Sequence, residues 1–217
     1  MPALKYEGYY LGFPWVFRTN EITHVTQLVY SRDGRHFTRT PGRCDFLPLG
    51  PQGSFDDGNA YVSRPVVHDD KIWIYYSGTR WRGMLDLFEL GENARDSIGL
   101  ATLPLDGFVS MEAGPNPGML TTKPIVFSGG KLSVNFVESV KGYSGIDEKS
   151  ALRVEILDVN DRAIPGYSAA EADVIVRSNM HQIVTWKGNA DVGSLAGKPV
   201  KLRWHLRNGK LYAFQFL

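Results

Sequence analysis

Short β-prone runs separated by turn residues dominate this sequence, and they leave almost no stretch for a long helix. The 23 Gly and 12 Pro among 217 residues supply many of the turns. The clearest unit begins at Gly53, where the runs Ala60–Val67 and Lys71–Ser77 flank the polar turn His68-Asp69-Asp70. Two such runs around a tight polar turn are typical of an antiparallel hairpin. The pattern therefore predicts an all-β protein.

A change of character near the middle of the chain predicts two domains. The segment Ala113–Gly118 reads AGPNPG, and such clusters of Pro and Gly mark linkers or sharp corners. We therefore expect domains over residues 1–115 and 116–217. In the second, apolar residues alternate with polar ones through Val200–Leu206, which is typical of an antiparallel β-sandwich. Asn208-Gly209 is the strongest hairpin signal in the chain.

The first half has a repeat-like rhythm. YSRDGRHF at Tyr30–Phe37 and LPLDGFVS at Leu103–Ser110 each place an Asp-Gly turn after a β-prone run. Asp106-Gly107 predicts a hairpin that leads into Phe108–Glu112. Short strands closed by such hairpins favour about two blades of a partial β-propeller, followed by the sandwich. A plain β-sandwich with common turns is the alternative.

Composition excludes several classes of function. The formal net charge of +1 and the absence of a basic stripe argue against a nucleic-acid partner. No apolar run approaches the roughly 18 residues that a membrane span needs. Cys44 is the only cysteine, so the chain cannot form an intramolecular disulfide. The five histidines lack metal-ligand spacing, and no cofactor motif is present, so neither a metal nor a cofactor is expected. The N-terminus lacks the features of a signal peptide, and localisation stays open.

Polar and aromatic residues collect at one end of the Gly53–Gly78 hairpin. The start of one antiparallel strand lies beside the end of the next, so carboxylates, phenols, a guanidinium and an indole should converge there. Flat aromatic rings beside hydrogen-bonding side chains suit a sugar. The candidate substrate-binding residues are Asp57, Tyr61, Tyr76, Arg80 and Trp81. Trp15, Trp73, Trp186 and Trp204 are assigned to cores.

Several stretches together resemble a known family. LVYSRDGRHF, FLPLGPQGSFDDGNAY, IYYSG and SIGLATLPLDGFVSMEAG are followed by the tail LAGKPVKLRWHLRNGKLYAFQF. In this order they resemble bacterial proteins similar to glycoside hydrolase family 32, in which a β-sandwich follows a five-bladed propeller. The resemblance covers nearly the whole chain. It implies a glycosidase that acts on carbohydrate, with this chain matching the C-terminal half of the architecture.

The resemblance implies a catalytic role for Asp56, which matches the acidic position of the family's S-[FW]-D-x-G motif. The alternative is that Asp56 accepts backbone N–H bonds in a turn. Glycoside hydrolysis needs two carboxylates, and Glu7, Glu21 and Glu89 are candidates for the second. The family's first-blade carboxylate has no counterpart here, so the chain looks N-terminally incomplete.

Two other functions stay open. One is a non-catalytic carbohydrate-binding or structural β-module. The other is a sialidase-like propeller, because Ser31-x-Asp33 partly matches an Asp-box. Incomplete blades would leave an apolar face and a strand edge exposed, so self-association or a partner chain is expected.

Overall fold

A computed structural model describes residues 1–82, 86, 88, 91, 96–138 and 150–217. The described residues form an all-β protein, as expected, in which the strands assemble into several antiparallel sheets. The chain divides into two compact units, Met1–Leu105 and Asp106–Leu217. The boundary expected from the sequence, between residues 115 and 116, lies ten residues later, within the Pro- and Gly-rich segment.

The first unit contains two sheets. Its described strands are β1 Ala3–Tyr6, β2 Tyr9–Gly12, β3 Trp15–Arg18, β4 Thr23–Gln27, β5 Val29–Ser31, β6 Thr38–Arg39, β7 Asp45–Leu47, β8 Asn59–Val62, β9 Val66–His68, β10 Lys71–Thr79 and β11 Ser97–Pro104. One sheet has the order β1-β2-β5-β6, and the other has the order β11-β10-β8-β4-β3, with β7 beside β4 and β9 beside β10. A short 3-10 turn spans Pro41–Arg43.

One long hairpin is shared between these two sheets. β2 pairs with β5, and β3 pairs with β4, so each arm of the hairpin is a strand that breaks once. The first arm breaks at Phe13-Pro14, where proline has no N–H to donate to a ladder. Phe13 is fully buried at this break. This break directs the chain from one sheet into the other.

The second unit is a sandwich of two sheets. Its described strands are β12 Met111–Ala113, β13 Gly118–Thr121, β14 Leu132–Glu138, β15 Ala151–Leu157, β16 Asn179–Ile183, β17 Lys201–Arg207 and β18 Gly209–Phe216. The sheets have the orders β12-β18-β14-β16 and β13-β17-β15. Apolar residues of both sheets share one core, which includes Leu132, Val154, Trp186 and Trp204. A 3-10 turn spans Gly193–Leu195.

The alternation predicted for β17 is confirmed. Leu202, Trp204 and Leu206 are buried, while Arg203 and His205 lie on the other face of the strand. On that outer face Arg203 and His205 both contact Glu155, at 3.3 and 3.0 Å. Side chains alternate between the two faces of a strand, so a shift of one residue would bury the charged groups. The contrast between the two faces therefore fixes the register of β17.

Two predicted hairpins are wrong. β17 and β18 do not pair with each other, because β17 lies in the sheet with β13 and β15 while β18 lies with β12 and β14. Asn208 does adopt the positive φ of 45° that the turn signal implies, but the turn carries the chain between sheets. Likewise β12 pairs with β18 and not with β11, so Asp106-Gly107 does not close a hairpin with the preceding strand.

Candidate functional site

The strand pair β8–β10 distributes the candidate residues over two faces of the sheet. Tyr61 lies opposite Ser77, whereas Tyr76 lies opposite Val62. Side chains alternate between faces along a strand, and directly opposed residues share a face. Tyr61 and Tyr76 therefore point to opposite sides of the sheet, and the predicted group divides into two clusters.

Asp56 belongs to the cluster on the side of Tyr76. Its exposed fraction is 8%, and both of its carboxylate oxygens accept hydrogen bonds. The Ser54 hydroxyl donates to Oδ1 at 2.7 Å, and the Tyr76 hydroxyl donates to Oδ2 at 2.8 Å. Burial of Tyr76, its hydrogen bond to Asp56 and the negative charge of Asp56 together raise the pKa of Tyr76 to about 12. The carboxylate thus binds two hydroxyl groups of its own protein.

Two glycines allow this tight packing. A Cβ atom at Gly50 would lie 2.0 Å from Oδ1 of Asp56, and one at Gly99 would lie 2.2 Å from Cζ of Tyr76. Real Cβ atoms do not approach other atoms so closely, so any side chain there would displace the Asp56–Tyr76 pair. Gly99 lies directly opposite Tyr76 in the β10–β11 ladder. The glycines and the two hydrogen bonds fix the position of Asp56.

Asp57 and Arg80 do not share the hydrogen-bond partners of Asp56. Asp57 Oδ2 accepts the backbone N–H of Gly53 at 2.6 Å, and its backbone carbonyl accepts a bond from Arg82 at 3.1 Å. Asp56 and Asp57 therefore have separate hydrogen-bond partners. Within the described residues, Nε of Arg80 is buried and has no hydrogen-bond partner.

The other side of the sheet carries two rows of side chains. The first row runs across the strands through Phe17, His24, Asn59 and Thr79, each opposite the next. The second row contains Trp15 opposite Thr26 on β3 and β4, and Tyr61 opposite Ser77 on β8 and β10. The rows are joined by the parallel contact between β4 and β8. We call the four ring-bearing residues Trp15, Phe17, His24 and Tyr61 the aromatic face.

Rings of the aromatic face contact one another and remain open to solvent. The Trp15 and Tyr61 ring centroids lie 5.1 Å apart, nearly perpendicular, and the His24 ring lies 4.8 Å from Phe17 and 5.3 Å from Tyr61. The Trp15 indole N–H donates to the carbonyl of Val62 at 3.2 Å, which fixes the ring's orientation. Trp15 and Phe17 are each 49% exposed. The assignment of Trp15 to a core is therefore wrong.

A buried amide supports the aromatic face from below. Asn59 is 1% exposed, and its Oδ1 accepts the backbone N–H of His24 at 2.7 Å. Its amide nitrogen donates to the Thr79 hydroxyl at 2.7 Å and to the Trp81 carbonyl at 2.6 Å. Such a fully satisfied buried amide ties β4, β8 and the end of β10 together. The His24 ring is held in place as well, with Nδ1 3.1 Å from both Asn59 Oδ1 and the Tyr61 hydroxyl.

A carboxylate borders the aromatic face at the end of β10. Asp96 precedes Ser97, which pairs with Gly78, so Asp96 lies at the level of Thr79. The Trp81 indole N–H donates to Asp96 Oδ1 at 3.0 Å. Burial raises the pKa of Tyr61, and the negative charge of Asp96 raises it further. Tyr61, Trp81 and Asp96 therefore belong to one site, together with the residues of the aromatic face.

The residues that sequence reasoning missed carry weak signals. Asn59 stands inside a β-prone run, and a polar amide there indicates a structural or functional task. His24 and Trp15 lie in β-prone runs whose two faces both carry apolar groups, so the sequence does not tell which face is covered. Asp96 follows a polar stretch and carries no motif.

The remaining sequence candidates are placed elsewhere. Asp33 accepts the backbone N–H groups of Arg35 and His36 and the ring of His36, and these bonds hold its pKa well below its usual range. It therefore stabilises its own turn. Glu21 contacts Arg18 at 3.5 Å on the surface. Glu7 lines an open groove with Lys5 and Arg64, and Glu89 lies outside the described residues.

The described residues contain no group of three His, Cys, Asp or Glu side chains placed to hold a metal ion. Nor does any described helix have the length and hydrophobicity required to cross a bilayer. No model of a known protein family matches the chain, and no curated protein matches it.

Proposed function

We propose that this protein binds carbohydrate at the aromatic face. The observation that supports this function is a pair of half-exposed rings, Trp15 and Phe17, beside the polar groups of His24 and Tyr61. Aromatic rings offer flat apolar surfaces to the C–H side of a sugar, while neighbouring polar atoms bond its hydroxyls. Both kinds of surface are held by contacts within the sheet, so little ordering would be needed on binding.

Leaving an aromatic side chain in water costs free energy. Here contacts with neighbouring residues hold the two rings in their exposed positions. Trp15 has its indole N–H bonded to Val62 and its ring edge against Tyr61. Phe17 stacks obliquely on the His24 ring, which Asn59 supports from below. A rigid apolar surface that stays in water is typical of a binding site.

Titration calorimetry with arabino-, fructo- and xylo-oligosaccharides tests the proposal. We expect binding by the unchanged protein and a loss of about tenfold in affinity for Trp15→Ala, the size of effect that removing one stacking ring has at an interface. Trp15→Phe keeps a ring and should lose less. Tyr30→Ala removes another exposed ring, in the sheet β1-β2-β5-β6, and should bind as the unchanged protein does. Equal binding by Trp15→Ala and Tyr30→Ala would exclude the aromatic face.

Glycoside hydrolysis is the second candidate, as the resemblance to family 32 implies. Asp96 supports it, because this carboxylate accepts the indole N–H of Trp81 and its charge acts on the phenol of Tyr61. Hydrolysis needs a second carboxylate across the bond. Release of reducing sugar from the same oligosaccharides, compared between the unchanged protein and Asp96→Asn, separates turnover from binding. Binding without turnover would favour the non-catalytic module.

A further inference from the structure

Charge is distributed unevenly over the proposed sugar site. Phe17, Trp15 and Tyr61 are uncharged at neutral pH, and Asn59 and Thr79 are buried and uncharged. Among the described residues of this site, Asp96 is the one carboxylate. A site of this composition presents a negative charge at its edge to any ligand that stacks on the rings.

Asp96 is held at this edge by the fold. It directly precedes β11, and the neighbouring Ser97 pairs with Gly78. One of its oxygens accepts the Trp81 indole N–H at 3.0 Å, and the Trp81 carbonyl in turn accepts a bond from Asn59. The chain of contacts Asp96–Trp81–Asn59–His24 thus joins the carboxylate to the aromatic face. Asp96 is exposed, so its charge lies in solvent at this edge.

We infer that Asp96 determines the charge specificity of this site, so that it accepts neutral sugars and discriminates against sugars that carry carboxylates. The inference depends on the proposed carbohydrate binding at the aromatic face. A carboxylate can accept hydrogen bonds from sugar hydroxyls, because an ionised Asp has only acceptors. The same carboxylate repels the carboxylate of a uronic acid bound at this site, since like charges disfavour binding even in water.

The experiment compares one oligosaccharide in two charge states. The fructo- or arabino-oligosaccharide that binds most tightly is oxidised at its primary hydroxyl groups to carboxylates, and both forms are titrated at low ionic strength. We expect the oxidised form to bind about fivefold more weakly to the unchanged protein, a discrimination of the size that exposed charges produce. In Asp96→Asn the two forms should bind within about twofold of each other. Asparagine retains an oxygen for the Trp81 N–H, so this variant should fold.

Asp69→Asn is the matched control, because it removes the same charge from the exposed turn at the other end of β10. It should keep the full discrimination. Equal binding of both forms to the unchanged protein, with binding still lost in Trp15→Ala, would overturn the role of Asp96 and leave the sugar site standing. Discrimination that persists in Asp96→Asn would also overturn it. Binding of neither form would overturn the sugar site and the inference together.

Discussion

Replacing Asp56 by alanine should destabilise the first unit without impairing sugar binding at the aromatic face. The substitution removes the acceptor of two hydrogen bonds, from Ser54 at 2.7 Å and from Tyr76 at 2.8 Å. A hydrogen bond to a charged acceptor contributes roughly 1.5 kcal/mol or more, so the two together amount to about 3 kcal/mol. Asp57 accepts one backbone bond, from Gly53, and because this bond is exposed to solvent Asp57→Ala should cost less, about 1 kcal/mol.

The assay is urea unfolding followed by tryptophan fluorescence. With a slope of about 2 kcal/mol per molar urea, a loss of 3 kcal/mol lowers the midpoint by about 1.5 M, against about 0.5 M for Asp57→Ala. Below the transition, the folded Asp56→Ala protein should bind oligosaccharide within about twofold of the unchanged protein, since Asp56 and Tyr61 lie on opposite faces of the sheet. An unchanged midpoint together with a loss of sugar turnover would refute this reasoning and assign Asp56 the catalytic role that the family resemblance implies.

Two further outcomes follow from the contacts of the first unit. The folded pKa of Tyr76 is raised to about 12 from the ordinary 10.0, so this tyrosine contributes stability that is present below pH 10 and is lost as the pH rises toward 12. In Tyr76→Phe, unfolding midpoints measured between pH 9 and 12 should fall less steeply than in the unchanged protein, and equal slopes would contradict the assignment. Ile98 and Leu100 on the outermost described strand, β11, are 82% and 48% exposed, so we expect concentration-dependent association that light scattering detects and that Ile98→Lys weakens. A monomer at all concentrations would contradict this expectation.

The local residue pattern predicted where strands lie but not which strands pair with one another. The alternation along β17 predicted its buried and exposed faces because burial depends on the residue and its two-residue period. Asn208 predicted a turn with positive φ, and the structure has one. The signal could not predict that β17 and β18 enter different sheets, because pairing is decided by strands that are distant in sequence. A turn motif specifies backbone angles over a few residues and carries no information on which ladder follows.

The same limit explains which part of the site was predicted. The sequence could predict that Tyr61, Tyr76 and Trp81 lie near one another because the hairpin of β8 and β10 is local, although Tyr76 faces the opposite side of the sheet from Tyr61. The aromatic face also depends on the parallel contact of His24 with Asn59, which lies 35 residues further along the chain. Nothing in a local pattern identifies that contact. Trp15 was consequently placed in a core by its size and apolar character, whereas the sheet leaves half of it in solvent.

Because side chains alternate along β10, its structural contacts with Asp56 lie on one face of the sheet and the proposed sugar site lies on the other. Tyr76 and Ser77 are adjacent, yet Tyr76 faces the Asp56 cluster and Ser77 lies in the row of Tyr61. On the first side, each carboxylate oxygen of Asp56 accepts a hydrogen bond from the protein, and two glycines pack closely around the pair. These contacts suit a residue that holds a loop against the sheet. The other side has rings in solvent and a carboxylate at its edge, so a sugar could meet side chains there without first displacing protein contacts. If this chain performs sugar chemistry with its described residues, the geometry therefore favours the side of Tyr61 over the side that carries the family-like acidic motif.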